Sequence, residues 1–125
     1  MCSLFGLIDF KECLSTHTKN KILNILAREC QVRGTDATGI AYNFNDRLRI
    51  YKRPIPARKM KIHIPHGVNV IMGHTRMTTQ GNAQFNQNNH PFLGHIDGSS
   101  FSLAHNGVLW NDKELRAEEN LPLTS

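Results

Sequence analysis

Apolar positions along this chain follow first a strand period, then a helix period, then strand periods again. Residues 3–9 form a nearly continuous apolar run, the pattern of a short strand buried on both faces. From Thr18 to Val32 the apolar residues Ile22, Leu23, Ile25, Leu26, Cys30 and Val32 return at helical spacing. Thr18 is placed to cap that helix and Gly34 to stop it. Residues 38–44 and 47–53 read as two strands joined around Asn45-Asp46, hence a hairpin. Pro54, Pro56 and Pro65 interrupt the next stretch of chain, leaving at most a helical turn around 57–62. Val68 to Met72 is a buried-strand pattern that runs into Gly73-His74-Thr75-Arg76. Residues 78–99, rich in Asn, Gln, Gly and Thr, read as one long loop. Residues 100–105 alternate as a strand, followed by Asn106-Gly107 and the apolar Val108-Leu109-Trp110, the signature of a second hairpin. A short polar helix is expected from Asp112 to about Glu119, and the final Leu-Pro-Leu-Thr-Ser has no stop signal and no packing partner in view. Strand, helix, then antiparallel strands make an α+β layered domain with helices packed on a sheet.

At 125 residues there is room for one domain and one core. No run approaches the length of a membrane-spanning helix, and the first residues lack a basic leader and a cleavage site, so the expected location is the cytoplasm. Three cysteines, Cys2, Cys13 and Cys30, without Cys-x-x-Cys spacing argue against a disulfide scaffold or a zinc knuckle. His63 and His66 have His-x-x-His spacing, but Pro65 disfavours a helix there, and the other histidines are scattered; no metal is expected.

The net charge of +5 is local in origin. Seven basic residues (Arg47, Arg49, Lys52, Arg53, Arg58, Lys59 and Lys61) lie between residues 47 and 61 with no acid among them, leaving eight basic against ten acidic residues elsewhere. Such a segment is either a solvated hairpin face or a phosphate-binding one; with Tyr51 its only aromatic, the solvated face is preferred over nucleic acid.

Four short signals carry candidate chemistry, each with a structural alternative. Cys2 follows the initiator methionine, whose removal sets a thiol beside a free α-amine able to act as its base; the alternative is a buried strand cysteine. Arg33-Gly34-Thr35-Asp36-Ala37-Thr38-Gly39 is either a functional turn or a helix stop leading into a strand. Arg76, ending Gly73-His74-Thr75-Arg76, can fork onto a carboxylate or pair with a surface acid. His105-Asn106-Gly107 is either a hairpin turn or an oxyanion hole built from a side-chain amide and a backbone N–H.

Taken in order, the N-terminal Cys, Arg-Gly-x-Asp, Gly-His-Thr-Arg, Asn-His-Pro and His-Asn-Gly resemble the glutaminase domain of class II glutamine amidotransferases, within the N-terminal-nucleophile hydrolases. The resemblance runs from Cys2 to about Asn111. It implies a four-layer αββα sandwich, incomplete in residues 1–125, which would be the N-terminal portion of the domain without an acceptor domain. It also implies hydrolysis of the side-chain amide of L-glutamine through a Cys2 thioester, giving glutamate and ammonia for an unknown acceptor, with no cofactor. Cys2 matches the nucleophile, Asn106 and Gly107 the oxyanion hole, Arg76 the residue binding the glutamine carboxylate, and Thr79 and His105 neighbouring contacts. Arg33, Gly34, Asp36 and His74 match supporting positions. Ser3 stands where relatives have Gly, Met77 where they have Trp and Gln80 where many have His; the aspartate that relatives place on the glutamine α-amine would lie beyond Ser125. The competing expectation is a non-catalytic member of the fold that binds or regulates.

Overall fold

In the computed structural model, residues 2–79 and 81–121 are described; Met1, Gln80 and the last four positions of Leu-Pro-Leu-Thr-Ser, and the expectations attached to them, lie outside. Four strands, β1 (Ser3–Ile8), β2 (Ala37–Phe44), β3 (Arg47–Arg53) and β4 (Val70–Arg76), form one antiparallel sheet in the order β1-β4-β2-β3. Helix α1 (Thr16–Cys30) covers one face. A separate two-stranded hairpin, β5 (Phe92–Ile96) and β6 (Ser99–Leu103), and a short helix α2 (Asp112–Glu119) complete the α+β architecture.

The register decides which residues share a face. Phe5, Leu7, Ile71, Thr75, Thr38, Ile40 and Tyr42 fall on one pleat by the pairs Phe5↔Gly73, Leu7↔Ile71, Thr38↔Thr75 and Tyr42↔Ile71. That pleat meets Leu23 and Ala27 of α1, and Ala57, Met60, Ile62, Ile64 and Val68 close the core around it. The proline-broken segment thus contributes core residues without regular structure beyond a single 3-10 turn at Ala57–Lys59. Its backbone is satisfied by the helix: Ile62 N–H donates to Asn24 Oδ1 (2.9 Å) and Asn24 Nδ2 to Ile62 O (2.8 Å), while Ile64 N–H donates to Asn20 Oδ1 (2.7 Å). Two asparagines one helical turn apart therefore take the place of a neighbouring strand.

Several expectations are corrected. α1 begins earlier, at Thr16, and its cap is Ser15, whose hydroxyl accepts the Thr18 N–H (3.1 Å). The buried stripe of α1 is Lys19, Leu23 and Ala27, whereas Ile25 and Val32 are exposed. Lys19 enters the interior because Asp9 (3.5 Å), Val68 O (3.1 Å) and Asn69 Oδ1 receive its ammonium. β1 is not buried on both faces: Leu4 and Ile8 point away from α1 and stay exposed. The long loop ends at Pro91, where β5 begins, and the second hairpin turns at Asp97-Gly98 instead of Asn106-Gly107. Both turn residues there have positive φ (48° and 79°), as do Asn45 and Asp46 (51° and 58°) in the expected first hairpin. This is the twist that two-residue hairpin loops need, and Asp-Gly provides it as readily as Asn-Gly.

The second hairpin lies against the sheet face opposite α1, where the Ser102 hydroxyl meets Met72 Sδ at 3.0 Å. Strand alternation then turns Phe101, Leu103 and Ile96 away from the sheet, and all three are exposed. Along β3, Arg47, Arg49 and Arg53 are exposed, with the Arg53 guanidinium stacked 4.2 Å from the Tyr51 ring centre. Lys52 is the exception to the solvated face. It points to the hairpin side, where burial pulls its pKa below the usual lysine value.

Candidate functional site

β4 brings an apolar strand to an end on two polar residues of one face, His74 and Arg76, both buried. Between them Thr75 turns to the helix side, where its hydroxyl donates to Cys30 O (3.0 Å). The chain leaving β4 is held from two sides. The Cys2 thiol, half-buried and one position beyond the Ser3↔Thr75 pair, donates to Met77 O at 3.6 Å. On the other side Asp36 N–H donates to Arg76 O (2.9 Å), and Asp36 Oδ2 accepts the Thr78 N–H (2.7 Å).

Gly34 ends the helical stretch, closing the 3-10 turn Gln31–Arg33 that follows α1, and it also makes this bracing possible by close approach. Its φ is −170°, ordinary extended backbone, but a Cβ there would lie 2.6 Å from the Arg76 carbonyl carbon. Gly39, in the same sequence motif, plays the equivalent part for the next segment: its Cβ would fall 2.1 Å from His90 O and 2.9 Å from Pro91 Cδ. The backbone of His90-Pro91 therefore lies directly on β2, in the space the missing Cβ of Gly39 leaves open.

Asn89 is fully buried and joined on every side. Its Oδ1 accepts from Arg76 Nη1 (2.8 Å), its Nδ2 donates to Ala83 O (2.7 Å) and Asn86 Oδ1 (3.2 Å), and its carbonyl accepts from Lys52 Nζ (2.7 Å). Lys52 also reaches Pro91 O (3.0 Å). His90 stacks on His74 with ring centres 4.2 Å apart and planes 13° from parallel, and Phe92 tilts against its other side at 4.3 Å. His90 Nδ1 accepts the backbone N–H of His105 (2.9 Å), so its ring proton resides on Nε2.

Burial pushes both imidazoles down, to about 4; at His74 the backbone of His105 opposes this while Arg76 adds to it, and at His90 the neighbouring His74, Arg76, His105 and Lys52 all add to it. The pair is therefore neutral at physiological pH. Both ring nitrogens of His74 are buried and make no hydrogen bond of good geometry among the described residues, although the His105 backbone lies near enough to favour the ring's protonated form; the ring stacks on His90. No group of three or more His, Cys, Asp or Glu among the described residues is arranged to hold a metal ion.

The structure brings together Cys2, Gly34, Asp36, His74 and Arg76 at one end of the main sheet. His105 joins them through its backbone only, and Gly107 lies over the His105 ring, where a Cβ would come within 2.9 Å of two ring atoms. Asn106 and Gly107 are exposed, and no hydrogen bond links either to Cys2 among the described residues. Arg33 and Thr79 are also exposed. Ser3, the residue beside the nucleophile candidate, faces away from Arg76, pairing with Thr75 and meeting the Cys30 thiol. A cavity of about 400 Å³ lined by Leu48, Ile50, Lys52, Arg53, Asn86 and Leu93 lies beside this cluster and includes none of the expected catalytic residues.

Sequence reasoning missed Asn89, His90, Gly39 and Lys52. The signal for three of them is present: Asn-His-Pro and the last glycine of the Arg-Gly-x-Asp segment both stand out as motifs, but a register is needed to show that one lies on the other.

Over 122 residues, 94% of its length, the chain is 34% identical to the glutamine–fructose-6-phosphate aminotransferase (isomerizing) of Symbiobacterium thermophilum. It is 31% identical over 121 residues to the enzymes of the same name from Staphylococcus epidermidis and Staphylococcus aureus. The chain spans about a fifth of the length of these curated relatives, 18% of the first and 19% of the others. No family model matches the sequence, and no solved structure matches it.

Proposed function

The chain belongs to the class II glutamine amidotransferases, and from that premise we propose that residues 1–125 form the N-terminal portion of a glutaminase domain that hydrolyses L-glutamine. The observation that carries this reading is the continuous bonded path at the end of the sheet. It runs from the Cys2 thiol to Met77, back through Arg76 to Asn89, and through His90 to the residue preceding Asn106. Four motifs far apart in sequence share that path, and Asp36 of a fifth bonds to it at Arg76 O.

Removal of Met1 frees the α-amine of Cys2, which accepts the thiol proton. The thiolate attacks the side-chain amide carbon of glutamine, and the carbonyl π electrons move to oxygen. Asn106 (side-chain amide) and Gly107 (backbone N–H) hold that oxyanion, and one such donor is worth about 3–4 kcal/mol of barrier. Collapse breaks the C–N bond; the departing nitrogen takes the proton back from the α-ammonium and leaves as ammonia. Water, deprotonated by the same amine, then opens the γ-glutamyl thioester to give glutamate and the restored thiol. Arg76 receives the α-carboxylate of glutamine, with Thr79 and His105 lining the pocket, while Asp36 and Gly34 fix the strand exit. Ammonia passes to an acceptor; in the matched relatives the name specifies fructose 6-phosphate.

The fold supports the same reading. Helix α1, the four-stranded sheet and the β5–β6 hairpin stack in the order of the first three layers of an αββα sandwich. The outward apolar face of Ile96, Phe101 and Leu103 is the surface a fourth layer would cover.

The test is steady-state release of glutamate by the full chain with Met1 removed. Cys2→Ala is expected to abolish it, Asn106→Ala to lower kcat by about 100-fold or more, and Arg76→Lys to raise KM with a smaller effect on kcat. Hydrolysis that survives Cys2→Ala would refute the assignment.

A further inference from the structure

The site has two ends, a guanidinium for the substrate carboxylate and a donor pair for the oxyanion, and the two consecutive residues Asn89 and His90 reach one each. Asn89 Oδ1 holds Arg76 Nη1 at 2.8 Å, and His90 Nδ1 holds the His105 N–H at 2.9 Å, one residue before Asn106. Neither residue has room to move. Asn89 is fully buried, with its amide and carbonyl engaged by Ala83, Asn86 and Lys52, and His90 is clasped between His74 and Phe92. The backbone between them rests on Gly39. We propose that Asn89 and His90 are the positioning residues that fix the spacing between the carboxylate end and the oxyanion end of the site. This rests on the functional reading above.

The physical basis is that a long guanidinium side chain and an irregular backbone segment each take one geometry only where acceptors hold them. A guanidinium on a four-bond stem samples many rotamers unless an acceptor fixes one of its nitrogens. Residues 104–111 have no regular structure, so the aim of the Asn106 amide depends on what anchors their backbone. Anchoring both on one rigid dipeptide converts two independent groups into a single receptor whose ends are a set distance apart, which is what an acyl-transfer site requires. His90 can do this only as the Nε2–H tautomer, with Nδ1 free to accept.

Glutamine hydrolysis by the full, Met1-free chain and hydrogen exchange at the His105 amide test the proposal together. His90→Phe keeps the stacking but cannot accept a hydrogen bond; His90→Asn keeps an acceptor near the Nδ1 position. His90→Phe is expected to lower kcat about tenfold with KM within about twofold and to speed His105 exchange about tenfold, while His90→Asn recovers most of both. Asn89→Leu is expected instead to raise KM about tenfold with kcat within about threefold; where it does not fold, Asn89→Ser, too short to reach Arg76, gives the same readout. Equal loss in His90→Phe and His90→Asn overturns the proposal, as does one shared kinetic signature for the Asn89 and His90 variants, because either reduces the segment to packing. If the wild-type chain hydrolyses no glutamine, the functional reading fails by itself and exchange decides the positioning claim. Accelerated exchange in His90→Phe, restored in His90→Asn, then upholds the claim, and unchanged exchange overturns it.

Discussion

Gly39 shows how much of the site depends on atoms that are absent. It sits in the middle of a buried strand, where a β-branched residue would be the ordinary choice, and its extended backbone needs no special conformation. What it provides is a surface on which His90 O and Pro91 Cδ can rest. Gly39→Ala puts a methyl 2.1 Å from His90 O, so the Asn89–Pro91 backbone must lift off β2. The expected cost is about 1–3 kcal/mol of stability, typical of overpacking, read as a lower denaturation midpoint. The same variant loosens Arg76 and the His105 backbone together, so a weakened response to glutamine accompanies the loss of stability. A Gly39→Ala chain as stable as the wild type would mean that the segment does not lie where the register places it.

At the scale of elements, the imidazole stack ties β4 to the segment entering β5 and, through His105, to the segment leaving β6. Its electrostatics make the tie sensitive to acid. His74 and His90 both have folded pKa values near 4 against 6.5 for an ordinary histidine, so the native state binds fewer protons than the unfolded chain between those limits. Their contribution to stability is therefore complete above about pH 6.5, declines as pH falls toward 4, and levels off below. Within that window each histidine costs up to about 1.4 kcal/mol per pH unit. Arg76 acts on both rings and Lys52 on His90, so nearby positive charge works with burial, while the His105 backbone opposes them at His74. Asp9 adds a second, more acidic decline: N–H bonds from Leu14 and Cys13, with Lys19 beside it, hold its carboxyl below the usual range. Denaturant titrations at pH 7, 5.5 and 4.5 should show stability falling at each step. A flat profile between pH 7 and 4.5 would contradict the buried, neutral state of the pair.

At the scale of the molecule, element types were legible in the sequence where hydrophobic period and turn chemistry agreed. The β2–β3 hairpin and α2 lie as expected, because Asn45-Asp46 and the polar run from Asp112 each admit one simple local solution. Legibility failed where a tertiary partner overrode the pattern. Lys19 displaced apolar residues from the buried stripe because Asp9 waits for it, and Asn106-Gly107 lost the hairpin to Asp97-Gly98, leaving its own segment irregular. The second outcome bears on function, since an Asn-Gly pair not consumed by a turn keeps its donors available. Candidate site residues were legible as motifs, but the clamp of Asn89 and His90 was not, because it arises from a strand register that brings β2 under a distant loop. Family membership, the layered α+β fold and the shared bonded path support the central proposal, that Cys2 is a nucleophile acting on glutamine. The most direct test is intact mass and peptide mapping after exposure to an electrophilic glutamine analogue such as diazo-oxo-norleucine. The expected product is a chain lighter by one methionine that carries a single adduct on Cys2, formed slowly or not at all when excess glutamine is present. A Met1-free chain that remains unlabelled, or one labelled equally on Cys13 and Cys30 without protection by glutamine, would contradict it.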